Sequence, residues 1–290
     1  MATSALAKSA RSAVSKTNNN TGSMVKALLD TDKMQGRFEQ VLGAKAPQFT
    51  SSIINLVNSS QQLQDVDGMS VISSAMVAAT MDLEINPNLG YMYIVPFKEK
   101  QADGSWMKRA QPQMGYKGYI QLALRTGQYK AIEAGPVYEG EIKNFDRFTG
   151  HYERGEKTSD KVVGYFGHFE LLNGFEKTVY WTAKEMDEHR KQFSKSGDYK
   201  GQPSGTWKSN YDAMATKTVI RTMLSKWGIL SVQMQEAVTT DEKPQVYDAE
   251  TGELSTDPKW ADNATEASGE EAPKVDPFKV FEQPDADAAK

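Results

Sequence analysis

Apolar residues early in the chain recur at every third or fourth position, as in Ile53, Ile54 and Val57 and again in Val71, Ile72, Ala75, Met76 and Ala79. That is the helical period, so Val25 to Glu84 is predicted to form two or three amphipathic helices, the last ending before Asn86-Pro87. The pattern then changes. Tyr91 to Lys98 and Trp106 to Met114 read as strands joined across the turn signal Asp103-Gly104, which predicts a β-hairpin. Between Tyr116 and Arg125 the period is helical again, with Tyr116, Tyr119, Ile120 and Ala123 on one side and Gly127 as the stop.

Three more strands are predicted at Ala131 to Tyr138, Val162 to Leu172 and Phe175 to Trp181, the last two joined by the hairpin dipeptide Asn173-Gly174. Thr182 and Glu185 form a capping box that opens a helix running to about Phe193. Residues 194 to 206 are rich in Ser, Gly, Lys and Pro and predict a mobile loop. A helix from about Thr206 to Lys226 follows, then a shorter one around Ile229 to Ala237. Past Glu242 the chain is polar, acidic and without periodicity. The expected fold class is α+β: N-terminal helices, central antiparallel hairpins packed with helices, a long C-terminal helix and disordered tails. The expected organisation is a basic arm over 1–24, one domain over 25–240 and an acidic tail over 241–290, disordered or separately folding.

Composition sharpens this picture in three places. Apolar residues make up 39% of the 290, enough for a sizeable core, while no apolar run approaches the roughly 18 residues of a membrane span. The absence of cysteine removes disulfide frameworks, thiolate metal sites and cysteine nucleophiles together, and fits a reducing cytoplasm. The net charge of −4 averages two unlike parts: residues 241–290 carry 14 acidic and 5 basic side chains, so residues 1–240 carry a net +5. An anionic partner is therefore open to the body of the chain. The first 24 residues, with Lys8, Arg11, Lys16 and no acid, resemble a transit peptide in part. Their single arginine and Asn18-Asn19-Asn20 favour a disordered arm.

Two motif fragments point to chemistry and stop short of it. Gly150 and Gly155 have phosphate-loop spacing, but Glu156 follows and Lys157-Thr158 arrive one position late, so a charged hairpin loop is expected there. Glu141-Ile142-Lys143 matches half of a magnesium-dependent nuclease site, which also needs an Asp on a neighbouring strand. The candidate for that partner is Asp103, which sits in the predicted turn. His151, His168 and His189 lack metal or triad spacing.

The clearest positive signal is a pair of basic stretches. Trp106 to Lys130 holds Lys108, Arg109, Lys117, Arg125 and Lys130 without one acid, interleaved with Trp106, Tyr116, Tyr119, Tyr129, Gln111, Gln113, Gln121 and Gln128. Positive charge without acidic neighbours suits a phosphate track, and planar side chains suit stacking on bases. On the helical wheel Lys117, Gln121, Arg125 and Gln128 oppose the apolar stripe, so Tyr116 and Tyr119 are expected in the core. His189 to Lys226 carries a net +6. Within its last helix Asn210, Met214, Lys217 and Arg221 are expected along one rib, and Tyr211, Ala215, Val219 and Met223 along another. The bland alternative for such a rib is an ordinary solvated face.

The run Gln111-Pro-Gln-Met-Gly-Tyr-Lys-Gly-Tyr-Ile-Gln-Leu-Ala, with Arg125 and Ala134-Gly-Pro-Val-Tyr-Glu-Gly-Glu141, resembles the signature of the phage RecT family of single-strand annealing proteins. A second block at Trp207, Tyr211, Met214, Lys217-Thr-Val-Ile-Arg221 and Lys226-Trp227 strengthens the likeness, which spans about Val25 to Glu236. The resemblance implies ATP-independent pairing of complementary strands in phage recombination, with no cofactor, no metal and no covalent catalysis. It implies binding of single-stranded DNA and the annealed duplex by a ring or helical filament, in the cytoplasm of a bacterial host. A phage exonuclease and a host single-strand-binding protein are implied partners; the role of the acidic tail is left open. By position it puts Lys108, Arg109, Gln111, Gln113 and Lys117 along a DNA groove, and Lys191, Lys200, Lys208, Lys217 and Arg221 along its other wall; Gln121 and Arg125, on the same side of the wheel as Lys117, and Asn210, on the rib of Lys217, are expected DNA contacts beside them. Trp207 is either a base-stacking residue or core. A passive single-strand binder shares every residue argument, and a magnesium-dependent nuclease is the remaining alternative.

Overall fold

The computed structural model describes residues 21–100, 104–194 and 199–235, and the backbone alone of 198, 245–247 and 254–256. Four helices come first: α1 (Thr21–Leu29), α2 (Asp32–Leu42), α3 (Ala46–Ser59) and α4 (Gly68–Thr80). The sequence pattern suggested two or three. The first includes Thr21 and Gly22 of the expected arm, and the buried Thr21 hydroxyl, within 2.7 and 2.9 Å of the Gln64 and Val66 carbonyls, ties that end to the turn before α4. The remainder of the arm lies outside the described residues.

The starts of α2, α3 and α4 have local causes. Thr31 caps α2 by accepting from the Met34 N–H, Pro47 opens α3, and Asp67 caps α4 by accepting from the Ser70 N–H at 2.8 Å. Helix α4 is buried on all sides, from Val71 through Ala79. Its serines keep their hydroxyls satisfied within the helix, Ser73 on Met69 O and Ser74 on Ser70 O.

Helices α1, α2 and α3 surround α4 together with the hairpin of β1 (Met92–Lys100) and β2 (Trp106–Met114). The hairpin register pairs Met92 with Met114 and Lys100 with Trp106. It is pinned to α4 by two bonds, Asp67 N–H to Lys108 O at 2.9 Å and Ala110 N–H to the Ser70 hydroxyl at 2.8 Å. A strand pair also meets α4: β10 (Gln245–Tyr247) and β11 (Leu254–Thr256) pair antiparallel, and β10 lies against α4. The acidic segment expected as a disordered or separately folding tail thus holds a strand pair, one strand of which contacts α4. Three-residue strands carry too short an alternation to stand out in an acidic sequence.

Helix α5 (Tyr116–Arg125) leads into β3 (Tyr129–Tyr138), the hairpin β4 (Ile142–Phe145) with β5 (Tyr152–Arg154), then β6 (Val162–Leu171) and β7 (Glu176–Thr182). Strands β3, β6 and β7 form an antiparallel sheet in that order. The turn before β7 is the expected one: Asn173 accepts from the Phe175 N–H at 2.9 Å, and Gly174 takes φ 85°. The Thr182–Glu185 capping box opens α6 (Ala183–Phe193) as anticipated. A small hairpin, β8 (Asp198–Tyr199) and β9 (Gln202–Pro203), occupies part of the expected loop; residues 195–197 lie outside the described set.

The predicted helix from Thr206 to Lys226 is two helices, α7 (Gly205–Ser209) and α8 (Tyr211–Trp227). Asn210 leaves helical geometry at φ −143° and ψ 56°. Ser209 and Asn210 bond each other and nearby carbonyls, the competition that makes such residues poor in a helix interior. Helix α8 packs on the sheet, where Gly167 of β6 leaves room for Val219 and Met223. Tyr165, Met186, Trp207, Ala215 and Val219 make a second core between sheet and helices. Of the helix anticipated around 229–237, residues 232–235 are helical, and 236 and 237 lie outside the described residues. Among the described residues no helix is long and apolar enough to cross a membrane.

Two helical glycines should respond oppositely to alanine. Gly36 of α2 has open space around it, so Gly36→Ala should stabilise the fold by about 0.4–1 kcal/mol. A Cβ on Gly118 would meet the Tyr91 carbonyl and the Met114 sulfur, so Gly118→Ala should destabilise it by about 1–3 kcal/mol. Urea denaturation of both variants checks the pair, and equal effects would contradict the packing described.

Candidate nucleic-acid interface

Alternation along β2 sorts the first basic stretch onto two faces. Ala110, Pro112 and Met114 are buried toward α4, whereas Arg109, Gln111 and Gln113 are half-buried on the opposite face, beside Phe97, Val95 and Tyr93 of β1. Lys108 belongs with the α4 side, where its ammonium contacts the Asp65 carboxylate at 2.6 Å. It is thus separated from Arg109, Gln111 and Gln113, with which the sequence grouped it. Arg109 shares its face with Glu99, 3.4 Å away.

From Tyr93 this face runs into α5. The Tyr93 hydroxyl and the Lys117 side chain both flank Gly90, which has φ 71°. Gly115 and Gly118 allow that approach: a Cβ on either would strike a backbone carbonyl, Gly90 O or Tyr91 O respectively. The Gly115 N–H donates to Tyr91 O at 2.9 Å and fixes the start of the helix. Lys117 and Gln121 then line a depression of about 260 Å³ with Asn88, Leu89, Tyr91 and Ile120. Among the described residues Lys117 forms no ion pair.

Arg125, on the same helix, is committed elsewhere. Its guanidinium donates to Met81 O at 2.9 Å and Asp82 O at 2.7 Å, bracing the turn after α4 where Asp82 takes φ 49°. Tyr119 is fully buried, as its place in the apolar stripe predicted, and Tyr116 packs half-buried against the same core.

The second basic stretch is spread over three helices and a turn. On α8, Ala215, Thr216, Val219, Ile220, Met223 and Leu224 are buried, and Lys217 and Arg221 lie half-buried along the flank with Met214 and Thr218. Asn210 falls outside this rib because the helix starts after it. Trp207 is 5% exposed and meets Tyr211 edge-to-face at 5.2 Å, so it is core and not a stacking residue. Lys208 is exposed on α7 and, among the described residues, makes no ion pair. Lys191 bonds Asp187 at 2.8 Å, and Lys200 sits in the β8–β9 turn.

Beneath these cations lies a polar layer that holds α6 in place. Arg190 is fully buried and bonds Asp187 at 2.9 Å and Gly201 O at 3.2 Å. Burial alone would raise the Asp187 pKa, but hydrogen bonds from Lys191 and Arg190 hold it below the usual carboxylate value. Tyr165 donates to Asp212 at 2.7 Å, and burial followed by that bond pushes its phenol pKa up. His189 lies against Trp181 and Phe193; burial, then the charge of Arg221, pushes its pKa down.

The two motif fragments have structural employment. The Glu141 carboxylate accepts the Tyr138 N–H at 2.8 Å, and Asp103 lies outside the described residues. Gly150 closes the β4–β5 turn at φ 78°, with Asp146 accepting from the Phe148 N–H and the Thr149 hydroxyl. Among the described residues no three His, Asp or Glu side chains are grouped to hold a metal ion.

Comparison with known proteins gives concordant matches. The model of the RecT family matches residues 47–254, a span that includes β10 and β11. The chain is 48% identical over 265 residues to the uncharacterised protein YqaK of Bacillus subtilis strain 168, covering 89% of this chain and 87% of that protein. It is 31% identical over 209 residues to Protein RecT of Escherichia coli strain K12, covering 70% of this chain and 75% of that protein.

The depressed pKa of His189 gives a pH signature. Below about pH 6.5 the unfolded chain takes up a proton that the folded imidazole resists, so stability should fall with pH by up to about 1.4 kcal/mol per unit. Above that pH the dependence should vanish. Denaturation midpoints between pH 5 and 7.5 test this, because carboxylates held low, such as Asp187, titrate below the window. His189→Phe should flatten the slope, and a slope unchanged in that variant would rule the residue out.

Proposed function

The chain belongs to the RecT family, and we propose that it pairs complementary DNA single strands without ATP, assembling on them as a ring or helical filament during phage recombination. The observation that carries the reading is the continuous surface from Arg109, Gln111 and Gln113 through Tyr93 to Lys117 and Gln121. Its cations and amides can take phosphate oxygens and sugars without reading base edges, which makes binding independent of sequence. Lys217 and Arg221 on α8, with Lys208 and Lys200 nearby in sequence, supply the opposite wall.

Annealing requires no covalent step. A wall that neutralises one strand's phosphates and leaves its base edges open lowers the repulsion met by a second strand. Successive protomers keep both strands in register until they pair. The protein then holds the duplex through the same phosphates, acts in the host cytoplasm and receives its substrate from an exonuclease or a single-strand-binding protein.

Binding of a labelled oligonucleotide, followed by anisotropy between about 50 and 200 mM salt, tests the phosphate reading. With about six contacts per protomer, log affinity should fall against log salt with a slope near −4, at roughly −0.7 per contact. Lys117→Glu and Lys208→Glu should each weaken binding about tenfold or more while leaving the circular dichroism unchanged. A flat salt dependence, or normal binding by both variants, would refute the proposed walls.

A further inference from the structure

The β8–β9 hairpin has a two-residue loop, Lys200-Gly201, between the paired residues Tyr199 and Gln202. Both loop residues take positive φ, 52° at Lys200 and 81° at Gly201. That geometry favours Asn-Gly, and a lysine at the first position is strained where asparagine would rest comfortably. Strain of this kind persists only where the surroundings enforce it, and it clusters at functional sites, although Asp82 shows that a braced structural turn can hold it too.

The surroundings here do enforce it. Arg190 is fully buried and spends one of its bonds on the Gly201 carbonyl, anchored in turn by Asp187. A buried arginine is costly unless its hydrogen bonds are met, and this surface turn supplies one of the acceptors that meet them, beside Asp187 and Tyr211. The turn holds up an aromatic ring: Tyr199 is 65% exposed, and the Lys200 ammonium lies 5.4 Å from its centre. Trp207, the aromatic that the sequence offered for stacking, is buried.

We propose that this turn is a stacking site for an unpaired nucleobase, with Tyr199 as the platform and Lys200 on the adjoining phosphate. The inference rests on the DNA-binding reading above and adds a discrimination to it. An unpaired base offers its face to a ring, whereas the faces of paired bases are covered by their neighbours in the duplex. Tyr199 therefore favours the strand before annealing over the product, and its contact is given up as pairing proceeds.

Affinities of the full chain for an oligonucleotide and for the corresponding duplex, measured side by side, test the assignment. Tyr199→Ala should lose about 5- to 150-fold for the single strand and leave duplex affinity unchanged, whereas Tyr199→Phe should behave as the parent. Lys200→Asn should raise the melting temperature by roughly 1–4 °C, by relieving the turn, while weakening single-strand binding several-fold. A purely structural turn would move stability and binding together. Equal losses on both DNA forms, or no loss in Tyr199→Ala, would overturn the site. Failure of the parent protein to bind either form would instead overturn the broader reading.

Discussion

The arrangement of the basic wall depends on one close contact, the first turn of α5 against the backbone of Gly90 and Tyr91. Only glycine at 115 and 118 permits it, since any Cβ there would occupy the space of a carbonyl oxygen. The contact is what sets Lys117 beside Tyr93, and so joins the open face of the hairpin to the depression lined by Gln121 and Asn88. Close packing and charge placement are therefore the same constraint. A larger residue at either glycine would displace the helix and carry its cation away from the strand.

Cations in this protein divide by what surrounds them. Lys108 and Lys191 have carboxylates within 2.8 Å, Arg125 holds the turn after α4, and Arg190 is sealed inside. Exposed ion pairs contribute little to stability, but they lower the local potential that a phosphate would meet. Lys117 and Lys208 keep that potential. A polyanion would therefore meet a field drawn by a subset of the lysines that the sequence counts.

Much of the fold was legible because local signals were strong. The capping box at Thr182, the Asn173-Gly174 turn and the stop at Gly127 each have a short-range cause, and each element formed where its signal lay. The losses have equally specific causes. Grouping Lys108 with Arg109 ignored the two-residue alternation of a strand, which the sequence itself displays. Trp207 could not be assigned from composition, because its burial depends on Tyr165 and Met186, which come from β6 and α6. The helix break at Asn210 turns on side-chain bonds within one turn. The β10–β11 ribbon was hidden in acidic sequence, since its role comes from α4, far away in the chain.

The central claim, that this surface aligns strands for pairing and does more than coat them, is tested most directly by annealing itself. A labelled oligonucleotide is preincubated with the protein, its complement is added without nucleotide, and duplex formation and strand length are followed with and without magnesium. Pairing faster than the protein-free rate, with strands intact in both conditions, is the expected result. Coating without acceleration, or strands shortened in magnesium, would contradict it.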